Sequence, residues 1–369
     1  MRVAVHVDQL WFSAPGGIGT YVRELVPELS AAGADLTLFR SEWPAPGPDW
    51  LEAYPAAVVP GRIRTLYPRW DLTGRPPLPA SLARQAVVHA TNHAAVPPVS
   101  GDQRLVVTVH DLAFERFPEL FPRRWRWLYV AGLRATASRA RTILVPSRAT
   151  ADDLGRRGDV DPARVHVTPL APSLAAGTAD PAPTLDRLGI PRPYVVSVGT
   201  LEPRKNLARL VRAYRRAGVP QALVLAGPTG WRSDELEREL AATGPSGGPG
   251  VVVRTGRLEP ADLDAVVRGA DALAYPSLYE GFGLPVVEAM ARGVPVVASN
   301  TSSIPEVAGD AAVLVDPEDE AALADALARV LGDPGLRADL GRRGREQAAR
   351  FSWAATARAT LAAYRSTEG

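Results

Sequence analysis

The 369-residue sequence predicts an α/β protein made of two Rossmann-like, doubly wound parallel-sheet domains. Three observations carry that prediction. Short β-rich runs alternate with helix-length stretches along nearly the whole chain. One segment, 171–193, is crowded with Ala, Pro, Thr and Gly and interrupts the rhythm near the middle. The length suits two domains, each large enough to bury a core.

In the first half, strands are predicted at 2–7, 35–39, 87–90, 105–109, 142–145 and 164–168. A helix over 19–32 should stop at Gly33, which serves as its C-cap. Segment 41–84 holds many prolines and Trp43, Trp50 and Trp70, and reads as a long functional loop with short helices. In the second half, strands are predicted at 194–198, 222–226, 251–255, 272–275, 294–298 and 312–315. Helices fall near 204–217, 233–243, 260–269 and 284–292, and three helical stretches close the chain from about 318 to 366. The expected domains are 1–175 and 193–351, joined by a linker at 176–192. A terminal helix over 352–369 is expected to pack back on the first domain. The halves read as two copies of one architecture. Ligands of such sheets bind beyond the carboxyl ends of the strands, near the topological switch point. With two domains, the cleft between them is the expected site.

Composition excludes several classes. Apolar residues are 46% and charged residues 22%, an ordinary soluble composition. Cysteine is absent, so no disulfide framework or thiolate metal site is expected, and five histidines argue against a zinc enzyme. A net charge of +2 gives no support for a nucleic-acid partner. The first residues enter a strand with no cleavable signal pattern, and no apolar run reaches the roughly 18 residues of a membrane span. A cytoplasmic chain is expected. All but one of the 42 basic residues are arginine, a bias that a GC-rich genome produces. Lys205 is the exception, and a site that needs a compact ammonium would retain it.

Three segments carry chemistry. Gly16 and Gly17 precede a helix, where backbone amides can approach an anion or sugar closely, although a tight turn would also use them. The spacing is not GxGxxG. The run Gly199-Thr200-Leu201-Glu202-Pro203-Arg204-Lys205-Asn206 follows a strand and opens a helix. Two cations at a helix N-terminus oppose the macrodipole unless an anion binds or Glu202 balances them, and a diphosphate would satisfy both. The strongest run is Glu280-Gly281-Phe282-Gly283-Leu284-Pro285-Val286-Val287-Glu288. A strand ends, a glycine loop follows, and Pro285 sits early in a helix, leaving the amides of Phe282, Gly283 and Leu284 for a ligand. Glu280 and Glu288 can accept hydrogen bonds from sugar hydroxyls, and a carboxylate on ribose is a recurring nucleotide device.

Glu280 to Glu288 resembles the E-x7-E motif of retaining glycosyltransferases with the GT-B fold. The chain is similar over almost its whole length to glycosyltransferase family 4 (GT4), which includes bacterial mannosyltransferases. Gly16-Gly17-Ile18-Gly19 resembles that family's glycine loop, Val109-His110-Asp111 its N-domain histidine motif, and the run 198–206 its phosphate-binding segment. The resemblance implies that Glu280 contacts donor-sugar hydroxyls and Glu288 holds the ribose. It further implies that Arg204 and Lys205 hold the diphosphate and that His110 lines the sugar site. Many members carry Gly-Arg where this chain has Gly199-Thr200, so Arg204 would take over that charge. Asp111 could orient the His110 imidazole or cap the following turn.

Between Arg116 and Arg148 stand eight arginines and one acid, Glu119. On a helical wheel, Trp125, Leu128, Tyr129 and Gly132 share one face, while Arg123, Trp127, Val130 and Arg134 fall nearer the opposite one. Tryptophan among arginines suits a membrane surface or an anionic acceptor, and an ordinary arginine-rich surface helix would look the same. Six of the eight tryptophans lie before residue 190, which favours the N-terminal domain as the acceptor side.

The expectation is therefore a retaining hexosyltransferase using a nucleotide diphosphate sugar, with GDP-mannose as first choice on the resemblance. The acceptor would be a glycan, lipid-linked or small molecule. No Asp-x-Asp motif is seen, so no metal or other cofactor is expected. Peripheral contact with the inner membrane face is compatible with this reading. The alternatives are a sugar-nucleotide epimerase, a phosphorylase of similar form, or a non-catalytic sugar-nucleotide-binding subunit.

Overall fold

A computed structural model describes residues 1–173, 177–242 and 250–366. Residues 174–176, at the junction of the expected first domain and linker, Thr243 at the end of one expected helix, and 367–369 of the expected terminal helix lie outside the described residues. The chain divides into two compact units, Met1–Leu170 with Ser352–Gly369, and Ala171–Phe351.

The first unit holds strands β1 (Arg2–His6), β2 (Asp35–Arg40), β3 (Ala56–Val58), β4 (Val87–Ala90), β5 (Arg104–Thr108), β6 (Thr142–Val145) and β7 (Val165–Val167). All pair in parallel in the order β3-β2-β1-β4-β5-β6-β7. Its helices are α1 (Gly16–Ala31), α2 (Ile63–Thr73), α3 (Ala113–Arg116), α4 (Arg123–Arg139) and α5 (Arg148–Arg157). The second unit holds β8 (Tyr194–Val198), β9 (Ala222–Ala226), β10 (Val252–Gly256), β11 (Ala272–Tyr275), β12 (Val296–Ser299) and β13 (Val313–Val315), in the parallel order β10-β9-β8-β11-β12-β13. Its helices are α6 (Ala182–Arg187), α7 (Leu207–Ala217), α8 (Asp234–Ala241), α9 (Pro260–Arg268), α10 (Leu284–Ala291), α11 (Ile304–Ala308), α12 (Glu320–Gly332) and α13 (Pro334–Ala348). The last helix, α14 (Trp353–Arg365), belongs to the first unit. Both sheets reverse direction of winding beside their first strand, so the expected repetition of one architecture holds at the level of topology.

Helices cover both faces of each sheet, so the central strands are largely apolar rather than alternating, whereas the edge strand β10 exposes Arg254. All five residues of β9, Ala-Leu-Val-Leu-Ala, are buried. On one side of the second sheet, Leu207, Leu210, Val211 and Tyr214 of α7 share a core with Leu323, Leu327 and Val330 of α12. In the first unit, α14 is tied down by Tyr364 Oη, 2.7 Å from His89 Nδ1, and by Thr356 Oγ1, which donates to the Pro169 carbonyl at 2.6 Å.

The structure corrects three local expectations. Helix α1 begins at Gly16 rather than residue 19, because Gly19 N already bonds the Pro15 carbonyl at 3.0 Å. Segment 41–84 is not chiefly loop: it supplies the edge strand β3 and helix α2, and Pro68 inside α2 obscures the helical pattern. Asp8, just after β1, fastens this segment by accepting from Ser41 N at 2.8 Å, Trp43 Nε1 at 2.9 Å and Tyr67 Oη at 3.0 Å. Third, Arg204 and Lys205 precede α7 in a 3-10 turn, Pro203–Lys205, rather than occupying its first helical turn. Within the expected linker, Ala182–Arg187 folds as α6 with Leu185 buried.

Candidate active site

In the second unit, β8 and β11 are adjacent at the switch point of the sheet. The segments leaving their carboxyl ends therefore meet at the place where such sheets bind ligands. Gly199 leaves β8 with φ +141°, and a Cβ on Gly227, which follows β9, would stand 2.0 Å from the Gly199 carbonyl oxygen. Only glycine lets these two chains pass so closely. The chain then makes the Pro203–Lys205 turn, and Asn206 enters α7 in the left-handed region, φ 59°. Asn206 Nδ2 donates to the carbonyls of Pro276 at 3.1 Å and Pro317 at 2.7 Å, and Leu278 N donates to the Arg204 carbonyl at 2.9 Å. The two loops are thus laced together.

That lacing brings Lys205, Arg204 and Glu280 into one buried cluster. Lys205 Nζ donates to Glu280 Oε1 at 2.6 Å and to Tyr275 Oη at 2.7 Å. Tyr275 Oη in turn donates to Glu280 Oε1 at 2.9 Å. Arg204 donates to Glu280 Oε2 at 2.9 Å, to Glu202 Oε1 at 2.6 Å and to the Tyr279 carbonyl at 2.8 Å. Glu280 is 7% exposed and Glu202 5%, so the two cations are balanced by buried carboxylates. Burial pushes the Glu280 carboxyl up, but Arg204 and Lys205 outweigh it and hold the group down at about 2. Burial lowers the Lys205 ammonium below its ordinary value, against the pull of Glu280. Burial, together with the Glu280 charge, pushes the Tyr275 phenol well up.

The loop after β12 fixes the Glu280 backbone. Ser302 Oγ accepts from Glu280 N at 2.9 Å, and Ser303 Oγ donates to the Glu280 carbonyl at 2.9 Å. Gly281 and Phe282 follow, with Phe282 buried and edge-on to Phe351 at 5.5 Å. Gly283 caps α10 with φ +100°, where a Cβ would meet Ile304 Cδ1 at 2.6 Å. The first amide bonded back in α10 is that of Val286, to the Gly283 carbonyl at 2.9 Å, so the amides of Gly283 and Leu284 precede the helical ladder. One turn on, Glu288 is 8% exposed, and the Ser173 hydroxyl donates to its Oε1 at 2.6 Å. Arg292 donates to the Glu288 carbonyl at 2.7 Å and pairs with Asp264 at 2.8 Å, which fixes the end of α10.

The first unit holds the other sequence-predicted residues. Gly16 and Gly17 form the first turn of α1, so their amides also precede its ladder. His110 follows β5 and is half-buried, with Nε2 2.8 Å from the Thr91 carbonyl and its ring edge-on to Tyr21 at 5.0 Å. A bond to a carbonyl requires the proton on Nε2, which leaves Nδ1 as an acceptor. Burial pushes the imidazole below its ordinary value, favouring this neutral form. Asp111 Oδ1 accepts from Ala113 N at 3.0 Å, so it caps the following turn. Among the described residues, no group of three or more His, Asp or Glu converges in a way that could hold a metal ion.

Sequence reasoning did not single out Tyr275, Ser302, Ser303, Gly227 or Ser173. Tyr275 was legible as a strand end, but its bridging between Lys205 and Glu280 depends on two loops meeting.

Two family descriptions match the chain: Glycosyltransferase Family 4 over residues 15–171 and Glycosyl transferases group 1 over residues 187–347. O-antigen chain mannosyltransferase B of Escherichia coli is 34% identical, over 71% of this chain and 70% of that protein. D-inositol 3-phosphate glycosyltransferase of Salinispora arenicola is 31% identical, over 95% of this chain and 87% of that protein. The chain belongs to glycosyltransferase family 4. It is accordingly a glycosyltransferase, and its two Rossmann-like units are those of the GT-B fold. Among solved structures, sucrose-phosphate synthase from Thermosynechococcus elongatus superposes with a TM-score of 0.73 at 23% identity, covering 99% of this glycosyltransferase and 98% of that chain. HepE of Anabaena, solved with UDP and glucose, superposes with a TM-score of 0.75 at 17% identity, covering 99% of this chain and 100% of that one. Among the described residues of this glycosyltransferase, no helix is long and apolar enough to cross a membrane.

Proposed function

We propose that this glycosyltransferase moves a hexose, mannose in the first instance, from a nucleotide diphosphate sugar to a glycan, lipid-linked or small-molecule acceptor, with retention at the anomeric carbon. The observation that carries the reading is the buried Lys205–Glu280–Arg204 cluster at the switch point of the second unit. It offers an ionised carboxylate for sugar hydroxyls beside two cations for a diphosphate. Mannose is favoured by the names of relatives. Besides the Escherichia coli protein, MMP alpha-(1->4)-mannosyltransferase of Mycolicibacterium hassiacum is 30% identical over 95% of this chain and 94% of that protein.

In this reading Glu288 receives the ribose hydroxyls, and the amides of Gly283 and Leu284 face the diphosphate with Arg204 and Lys205. Gly199 lets the phosphate approach the backbone. In the first unit, Gly16 and Gly17 offer amides and the neutral His110 offers Nδ1 to sugar hydroxyls. The acceptor oxygen bonds the anomeric carbon as the bond from that carbon to the phosphate oxygen breaks. The acceptor's proton passes to the departing phosphate, on the same face. Arg204 and Lys205 stabilise the charge that develops there, so no metal is needed. The chain works in the cytoplasm, with peripheral contact at the inner membrane face.

The test is a thermal-shift screen of nucleotide diphosphate sugars, followed by mass spectrometry of transfer products and NMR of the new anomeric bond. GDP-mannose should give the largest shift and an α-linked product, unaffected by excess EDTA. An inverted product, or activity abolished by EDTA and restored by magnesium or manganese, would overturn the mechanism.

A further inference from the structure

We infer that Tyr275 is a positioning residue of the transfer reaction: its hydroxyl keeps Glu280 paired while Lys205 turns to the leaving diphosphate. It acts through Lys205, and so rests on the role given to Lys205 above.

Tyr275 closes β11, where it lies in register with Ala298 of β12, and it is buried. The sheet therefore fixes its ring, whereas Lys205 sits in the Pro203–Lys205 turn. Three groups close a triangle at Glu280. Lys205 Nζ donates to Oε1 at 2.6 Å and to Tyr275 Oη at 2.7 Å, and Tyr275 Oη donates to the same Oε1 at 2.9 Å. The other carboxylate oxygen, Oε2, accepts from Arg204 at 2.9 Å.

The Lys205–Glu280 pair is complete without the phenol. A phenylalanine would fill the same space, and a buried hydroxyl costs free energy unless it is paired. What the hydroxyl adds shows when the ammonium leaves. Glu280 is buried, so an oxygen stripped of its donor finds little water. Leaving a buried acceptor unpaired costs more than a formed hydrogen bond gains. With Tyr275 in place, Oε1 keeps the phenol and Oε2 keeps Arg204, so Lys205 can be released to a phosphate without stranding the carboxylate. With phenylalanine there, the same movement would leave Oε1 bare.

Two further features suit a shared ammonium. Among the described residues only two N–H groups of Nζ are used, which leaves the third for a ligand. Nζ also lies 4.9 Å from the centroid of the Tyr275 ring, so it can shift over a cation–π surface rather than break from it. No proton changes hands. Burial and the Glu280 charge push the phenol well up, so it remains a donor throughout.

Tyr275→Phe keeps the ring and removes the hydroxyl. The first test needs no substrate. Either donor alone should serve Oε1, so Tyr275→Phe and Lys205→Ala together should lower the melting temperature well beyond the sum of the single effects. Additive losses would overturn the inference. The second test uses the fact that Lys205 is the sole lysine of the chain, so isotope-labelled lysine gives a single Cε signal by NMR. GDP and UDP, which share the diphosphate and differ in base, are the probes. One of them should move the wild-type signal. In Tyr275→Phe that nucleotide should move it less than about half as far and bind about tenfold more weakly. With the donor that the screen above selects, kcat should fall at least about tenfold while the acceptor KM holds. A wild-type response that Tyr275→Phe leaves intact, or an unchanged kcat, would overturn this inference alone. A wild-type signal that neither nucleotide moves, while transfer proceeds, would remove Lys205 from the diphosphate and the role of Tyr275 with it.

Discussion

Lys205 Nζ lies 2.6 Å from Glu280 Oε1, and Arg204 reaches the other oxygen of the same carboxylate at 2.9 Å. The residue assigned to the donor sugar therefore neutralises the cations assigned to the diphosphate. A diphosphate entering this site must share both cations with Glu280.

Competition of this kind has a measurable sign. Glu280→Gln removes the rival charge, so affinity for the nucleotide diphosphate without sugar should rise at least about fivefold, while transfer collapses because the sugar loses its charged carboxylate acceptor. The same substitution leaves Lys205 and Arg204 with Glu202 as their remaining carboxylate, and should cost about 3 kcal/mol of stability. The nucleotide should restore part of the lost melting temperature. Calorimetry showing a fall in diphosphate affinity would mean that Glu280 does not compete.

Much of this arrangement was legible in the sequence, for a physical reason. Parallel strands covered on both faces are apolar runs, and β4, β6, β8, β9 and β11 appear with the bounds that composition suggests. Glu280 and Glu288 are close in sequence, so a strand-loop-helix reading places both. What stayed hidden is what depends on remote segments meeting. Two cations before a helix invited a phosphate because their partner, Glu280, lies about seventy-five residues away. The serines that hold Glu280 come from the loop after β12, and nothing local to Ser302 or Ser303 advertises that role. Helix α2 was masked by Pro68, whose missing amide is tolerated within an otherwise continuous helix.

Glu288 gives a simpler expectation. Its carboxylate is buried and takes the Ser173 hydroxyl at 2.6 Å, so an incoming ribose would meet an oriented acceptor. Glu288→Ala should weaken nucleotide diphosphate binding by about 1.5–3 kcal/mol. Titration calorimetry measures this directly, and unchanged affinity would remove Glu288 from the site.

The first unit should lose stability on mild acidification, in part through His89. Its Nε2 lies 2.7 Å from Thr108 Oγ1 and its Nδ1 2.7 Å from Tyr364 Oη, with the ring fully buried. Burial, with His110 and His6 nearby, lowers its pKa from 6.5 to about 3. Between those values the unfolded chain binds a proton that the folded chain refuses, so stability falls as pH falls, by about 1.4 kcal/mol per unit at most. His93, also lowered to about 3, adds to the trend, and Asp71, raised by burial to about 8, opposes it. Glu280 plays no part above pH 4.5, because its share is lost only as pH falls from there through about 2. Urea unfolding at pH 6 and pH 5 should show a shallower pH dependence in His89→Asn than in wild type. Identical slopes would show that His89 is not a buried neutral histidine.

Lys205 should not be replaceable by arginine. Every other basic residue in the chain is arginine, so retention of one lysine at this position is informative. The structure supplies the reason. The Lys205 side chain threads past Gly199, where even a Cβ would stand 3.2 Å from its Cε, and lies 4.9 Å over the Tyr275 ring. Its ammonium then serves Tyr275 Oη and Glu280 Oε1 from one compact atom. A guanidinium is wider, planar and directional, and Arg204 already fills the neighbouring space on Glu280. Lys205→Arg should fold, because it keeps the charge that balances Glu280, yet lose at least about tenfold in turnover, or roughly 1.4 kcal/mol of transition-state stabilisation. Lys205→Ala should lose more, since the leaving diphosphate then faces Arg204 alone among the two cations. Initial transfer rates, read beside melting temperatures for both variants, decide the matter. Full activity in Lys205→Arg would show that any cation of adequate reach suffices here.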